Sequence, residues 1–128
     1  PAVGISRILF MILADAFTQE EERVVLKLSP IVAPYKVAVF PLVANKEDLS
    51  REARSIYNEL KKKYATYWDE RGNIGKRYRY QDEMGTPFCI TVDYQTLEDK
   101  TVTVRERDSM KQERIGLDQI DNYLKSKL

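Results

Sequence analysis

GNIGKRYRYQDEMGTPFCITVDY, residues 72–94, holds a helix, its stop and a buried strand in immediate succession. Ile74 to Met84 reads as a helix that Gly85 and Pro87 end. In the strand that follows, Phe88, Ile90 and Val92 share one face. Upstream, YKVAVFPL (35–42) is apolar on both faces and rich in β-branched and aromatic residues, as a central covered strand requires, and Pro41 is expected to end its pairing. Between the two, Asn45 with Asp48 three residues later predicts a helix start, and Leu49, Ala53, Ile56, Leu60 and Tyr64 form its apolar stripe. Thr66 to Asp69 reads as a short strand, with Gly72 and Gly75 punctuating the loop after it. Strands alternating with helices at this spacing imply right-handed crossovers and a mostly parallel sheet with helices on both faces.

Further downstream, Val102 and Val104 of TVTVR (101–105) point one way while Thr101, Thr103 and Arg105 point the other. The link Gln95 to Lys100 has hairpin length, so this strand is expected to run antiparallel to its predecessor. Gln112 to Ile115 reads as an edge strand, and Leu117, Ile120, Tyr123 and Leu124 mark a closing helix. At the other end, Ile5, Ile8, Leu9, Ile12, Leu13, Ala16 and Phe17 have helical spacing, and Phe10 and Met11 make the opposite side apolar too. A helix apolar all round belongs inside a larger protein. The chain is therefore expected to be a piece of a longer one, with which a start at Pro1 agrees. Thr18 to Lys27, with Glu20, Glu21 and Glu22 consecutive, reads as a polar linker before Pro30 and Pro34.

The 128 residues have room for one domain, and 43% hydrophobic with 32% charged residues disfavours disorder. The longest apolar run, Ile8 to Ala14, falls far short of the roughly 20 residues of a bilayer span, so no membrane partner is expected. No stretch resembles a signal peptide. Histidine is absent, which excludes Ser-His-Asp and Cys-His mechanisms within the chain. The lone Cys89 makes no internal disulfide and reads as a buried small hydrophobe in an intracellular protein. Neither a P-loop nor a GxGxxG pattern follows the first strand, whose loop begins VANKED. Gly72 and Gly75 precede a helix N-terminus able to hold one phosphate, or serve simply as turn and cap.

A net charge of +1 provides no global field, so clustering carries any nucleic-acid reading. Arg71, Lys76, Arg77 and Arg79 lie in one acid-free stretch with Tyr78 and Tyr80 interleaved, and Arg105, Arg107, Lys111 and Arg114 form a second group. Read plainly, the first is a solvated helix face. Placed at the ends of neighbouring strands, the two groups are expected to converge on one surface suited to single-stranded RNA, whose bases stack on aromatic or guanidinium planes. The acids nearby (Asp82, Glu83, Asp93, Glu98, Asp99, Glu106, Asp108) read as turn formers or arginine partners rather than an acid-base pair, with one or two left to accept from a base amino group.

IVAPYKVAVFPL (31–42), GNIGKRYRYQDEMGTPFCITVDYQTLED (72–99) and TVTVRERDSMKQERI (101–115) resemble the C-terminal anticodon-binding domain of class II glycyl-tRNA synthetases of the archaeal and eukaryotic kind. VGISRIL (3–9) is similar to the end of the third class II signature motif, with Arg7 at the place of an arginine that contacts ATP phosphate; Ser6 departs from that pattern. The resemblance implies an α/β domain, three-layer α/β/α with a five-stranded mixed, mostly parallel sheet over residues 29–128. Residues 1–28 would be a remnant of the catalytic domain and a linker. It further implies a cytoplasmic, homodimeric parent that ligates glycine to tRNA(Gly) with ATP and Mg, no catalytic residue and no metal site in this chain, and the tRNA(Gly) anticodon loop and parent catalytic domain as partners. Matched segment by segment, the expected anticodon contacts are Arg71, Asn73, Lys76, Arg77, Arg105 and Arg107, with Asp93 and Asp108 as orienting acids and Tyr78 or Tyr80 as a stacking or a core residue. The same domain type in relatives of the DNA polymerase accessory subunit leaves a non-catalytic binding subunit as the alternative. A small flavodoxin-like enzyme rests on fold analogy alone.

Overall fold

The computed structural model describes residues 2–128, with side chains from Gly4 onward. Pro1, on which the expectation of a cut chain partly drew, lies outside the described residues, as does the side chain of Val3 in VGISRIL. Helix α1 (Ala2–Ala16) leads directly into an antiparallel hairpin of β1 (Phe17–Gln19) and β2 (Val24–Leu26). This replaces the linker expected over Thr18 to Lys27. Polar composition conceals the reason: Val25 is fully buried, and the buried Arg23 guanidinium donates to the Arg107 and Asp108 carbonyls at 2.6 and 3.2 Å.

The remaining elements are β3 (Val37–Pro41), α2 (Glu47–Leu60), β4 (Thr66–Trp68), α3 (Ile74–Met84), β5 (Phe88–Val92), α4 (Tyr94–Asp99), β6 (Thr101–Glu106), β7 (Gln112–Gly116) and α5 (Ile120–Lys127). One five-stranded mixed sheet forms in the order β4-β3-β5-β6-β7. β3 pairs parallel with β4 and β5, whereas β6 pairs antiparallel with β5 and β7, so only β6 is reversed. The fold is the expected three-layer α/β/α. Strand alternation divides the core: Val37, Val39, Ile90 and Val104 pack with Leu49, Ile56 and Leu124 of α2 and α5, while Ala38, Phe40 and Cys89 face Ile74 and Tyr78 of α3.

Local chemistry explains the helix limits. Asn73 caps α3 by accepting from the Lys76 amide at 2.9 Å, and Gly85 ends it at φ +83°, where a Cβ would meet Leu28 Cδ1 at 2.8 Å. α2 differs from expectation. Its cap position is Lys46 rather than Asn45, no side chain caps it, and Glu47 and Asp48 in the first turn complement its dipole instead. The link over Gln95 to Lys100 is also not a bare turn. Asp93 and Thr96 cap each other's amides and convert it into α4, while the β5–β6 pairing is antiparallel as predicted.

The reversal of β6 sets which residues meet. Val37, Phe88 and Glu106 lie in register at one edge of the sheet, whereas the C-terminal ends of β3, β4, β5 and β7 lie at the other.

Candidate nucleic-acid interface

At the edge where β3 and β4 end, two loops and the N-terminus of α3 come together. Asp69, buried just past β4, accepts from the Arg71 amide at 2.9 Å and lies 3.5 Å from Arg71 Nε. The Arg71 side chain is 79% exposed, so it is anchored at its base and free at its tip. Asn73 and Lys76 are exposed beside it in the first turn of α3. An aligned helix N-terminus flanked by two cations favours an anionic ligand.

Arg77 has a different place from the one expected. Only 2% exposed, it donates to the carbonyls of Pro41, Leu42 and Gly72 at 2.5, 3.3 and 3.3 Å, and its guanidinium lies 5.6 Å from the Phe40 ring centroid. Burial lowers its pKa, with Asp69, Tyr78 and Glu70 acting weakly the other way. The side chain thus ties the loop after β3 to the loop after β4. It positions the edge from within rather than projecting from it.

Because β6 runs backwards, Arg105, Arg107 and Lys111 of the second basic group lie at the opposite edge, and of that group Arg114 of β7, which donates to Asp93, lies at the Arg71 edge, so the expected convergence of the two groups does not occur. Arg105 is buried and forms a bidentate pair with Asp82 at 2.8 and 3.0 Å, stacked 4.8 Å from the Tyr78 ring centroid. Arg107, 3% exposed, donates to the Gly85 and Leu28 carbonyls at 2.8 and 2.7 Å and to Asp108 at 2.9 Å. Both guanidinium groups are spent inside the protein. Asp108 is exposed but shares their edge, away from Arg71. Asp93 is at the β5 end of the Arg71 edge, where Arg114 and Thr96 hold it. Burial raises its pKa, but the bonds from Arg114 and Thr96 outweigh that and leave it below the ordinary value. Its carboxylate caps α4. Tyr78 is a core residue, its hydroxyl 2.6 Å from Thr91 Oγ1, whereas Tyr80 is 44% exposed.

Asp69, Asn45 and Tyr94, which the sequence did not single out as contact residues, also line concavities at this edge. Asn45 is exposed in the loop after β3, and Tyr94 is 51% exposed at the start of α4. An Asx-type signal was present at Asp69, two residues before Arg71.

Arg7 is exposed on α1, and a lone arginine there makes no nucleotide pocket. Among the described residues no group of three or more His, Cys, Asp or Glu is placed to hold a metal ion. No helix of the described residues is long and apolar enough to cross a membrane.

A three-layer domain with a reversed fourth strand and a cationic, helix-capped edge is an architecture suited to reading an RNA loop. Residues 36–127 match the family described as anticodon binding domain, and the chain belongs to that family. Among relatives, it is 49% identical to Glycine–tRNA ligase of Borreliella burgdorferi, over 99% of this chain and 29% of that protein. Glycine–tRNA ligase of Caldanaerobacter subterraneus is 51% identical over 100% of this chain and 28% of its own length, and that of Thermobifida fusca is 49% identical over 100% and 29%. The chain spans less than a third of the length of these relatives.

Proposed function

We propose that this chain is the anticodon-reading part of a glycine–tRNA ligase whose whole polypeptide joins glycine to tRNA(Gly) using ATP and Mg. The observation that carries this reading is identity of about half the residues, over essentially the whole chain, with proteins of that name. Residues 29–128 act as the reading domain, α1 belongs with the parent catalytic domain, and Arg7 completes an ATP site only in that company. The apolar residues on all sides of α1, such as Ile8 and Phe10 at 60% and 70% exposure, suit a helix covered by that domain. The parent is a cytoplasmic homodimer. The parent's type is the archaeal and eukaryotic kind that the sequence resembles, while the relatives named are bacterial.

Arg71, Asn73 and Lys76 contact the anticodon loop, and Arg77 and Asp93 hold the elements that present it. Arg105, Arg107 and Asp108 support the domain from the opposite edge. The resemblance places cytosines at the second and third anticodon positions, and each base read in this way contributes about 1–3 kcal/mol of discrimination. A polymerase-subunit-like binding role has less support, since relatives matched along the whole chain carry the ligase name.

Binding of an RNA stem-loop carrying the glycine anticodon tests the reading. Replacement of both cytosines should weaken binding at least about tenfold; equal affinity for the two RNAs overturns the assignment. Arg71→Gln with Lys76→Gln should lower the slope of log affinity against log salt by about one for each cation removed. An unchanged slope moves the site elsewhere.

A further inference from the structure

The concavity flanked by Arg71 and Tyr80 shares Gly72 and Arg77 with a second, between Val43 and Asn73. The second shares Asn45 with a third, between Lys46 and Tyr94. The three thus adjoin one another along the sheet edge, each next pair sharing a wall. Arg71 and Lys76 lie at one end with Asp69 behind them, and Glu47 and Asp48 at the other, where Lys46 adjoins them and Arg51 lies 3.2 and 3.6 Å from one oxygen of each. Tyr80 and Tyr94, one at each end, are the large aromatics exposed by more than a third among residues 29–128. The Tyr94 backbone is fixed although its ring is exposed. Tyr94 is the first residue of α4, and that turn is fixed by the Asp93 carboxylate accepting from the Thr96 amide at 3.1 Å and from Arg114.

We propose that this row of concavities takes three successive unpaired nucleotides and that Tyr94 is the stacking platform for the base at its Glu47 end. This rests on the RNA-binding reading above and extends it to α4 and the loop after β3. The Glu47 and Asp48 oxygens that Arg51 leaves unengaged accept from an amino group, so that compartment takes a base bearing an exocyclic amine, such as cytosine. A phenol ring on a capped helix turn offers a flat surface whose backbone is already ordered, and stacking on such rings is how single-strand readers gain affinity. Phosphates follow the Arg71 end. Asn45, where two compartments join, is placed to donate to or accept from the middle base.

The test uses this chain and the glycine anticodon stem-loop. Tyr94→Ala should weaken binding by between about fivefold and about 150-fold, and Tyr94→Phe should leave it within about twofold, since the ring is kept. An RNA with one abasic anticodon nucleotide locates the contact. At the position stacked on Tyr94, wild type and Tyr94→Ala should bind that RNA equally. If Tyr94→Ala binds the intact stem-loop like wild type while Arg71→Gln with Lys76→Gln does not, the platform is refuted and the RNA-binding reading stands. If none of the substitutions alters binding, or wild type does not bind, both fall. A loss in Tyr94→Ala that persists with every abasic RNA, or that Tyr94→Phe shares, also refutes stacking.

Discussion

Asp82→Asn tests whether the buried arginines are structural. The Asp82 carboxylate is 1% exposed and receives both Arg105 terminal nitrogens, at 2.8 and 3.0 Å, and Arg23 Nη1 at 3.1 Å. Arg23 has Glu20 as a second carboxylate at 2.7 Å; Asp82 is the acid that neutralises Arg105. Substitution therefore strands a desolvated guanidinium, and breaking a buried pair from one side costs about 3–5 kcal/mol. An unfolding entropy of about 2.1 cal/mol/K per residue converts this into a fall in Tm of roughly 10–20 °C for a chain of this size. Thermal and urea unfolding followed by circular dichroism would measure it. Replacing both partners, Asp82→Leu with Arg105→Met, should recover most of the loss because no unpaired charge remains between them. A single-site cost under about 1 kcal/mol, or a double variant whose loss is the sum of the singles, would show no coupling and return Arg105 to the cations available to RNA.

Gly85→Ala places a Cβ 2.8 Å from Leu28 Cδ1 and 3.0 Å from the Leu26 carbonyl at a left-handed φ, and should cost about 1–3 kcal/mol; an unaltered urea midpoint would contradict the packing of the hairpin on α3. Burial pushes the Cys89 thiol up to about 12, so alkylation at pH 8 should be slow in the folded chain and fast in urea, and equal rates in both would refute its burial. The folded-state pKa of Asp93 is depressed, so its contribution to stability is present above the ordinary aspartate value of 3.8 and is lost as pH falls through the lower folded value. Asp93→Asn should remove that part of the acid limb in pH-dependent unfolding, and an identical limb in the variant would rule the contribution out.

The central elements were readable because their signals are local. Asn73 and Gly85 bracket α3 by side-chain capping and a left-handed stop, and the all-buried β3 and β5 announce themselves by composition. The hairpin β1–β2 was hidden because its stabilising bonds come from residues more than eighty positions away. Charge counting also misled at Arg77, Arg105 and Arg107. A count of cations does not tell which face they occupy. At Arg77 a usable signal existed: Ile74, Arg77, Tyr78, Gln81 and Asp82 recur at helical spacing and form the inward face of α3. For Arg105, no local feature reveals that its partner is twenty-three residues upstream. The separation of Arg105 and Arg107 from Arg71 follows from one reversed strand. Its direction is legible in the short link before it, but where its ends fall relative to Arg71 depends on the order of the whole sheet.

The lacing between the hairpin and the turn after β6 works in both directions, with Arg23 reaching forward to the carbonyls of residues 107 and 108 and Arg107 reaching back to Leu28. Severing the polypeptide between residues 28 and 29 would leave donors on both sides without acceptors, so the smallest autonomous unit begins at or before Phe17. It also means that α1 emerges from a stiff mount instead of a slack tether. Whatever body grips that helix is thereby joined to the turn after β6 through bonded residues of the hairpin and not through a free-swinging connection.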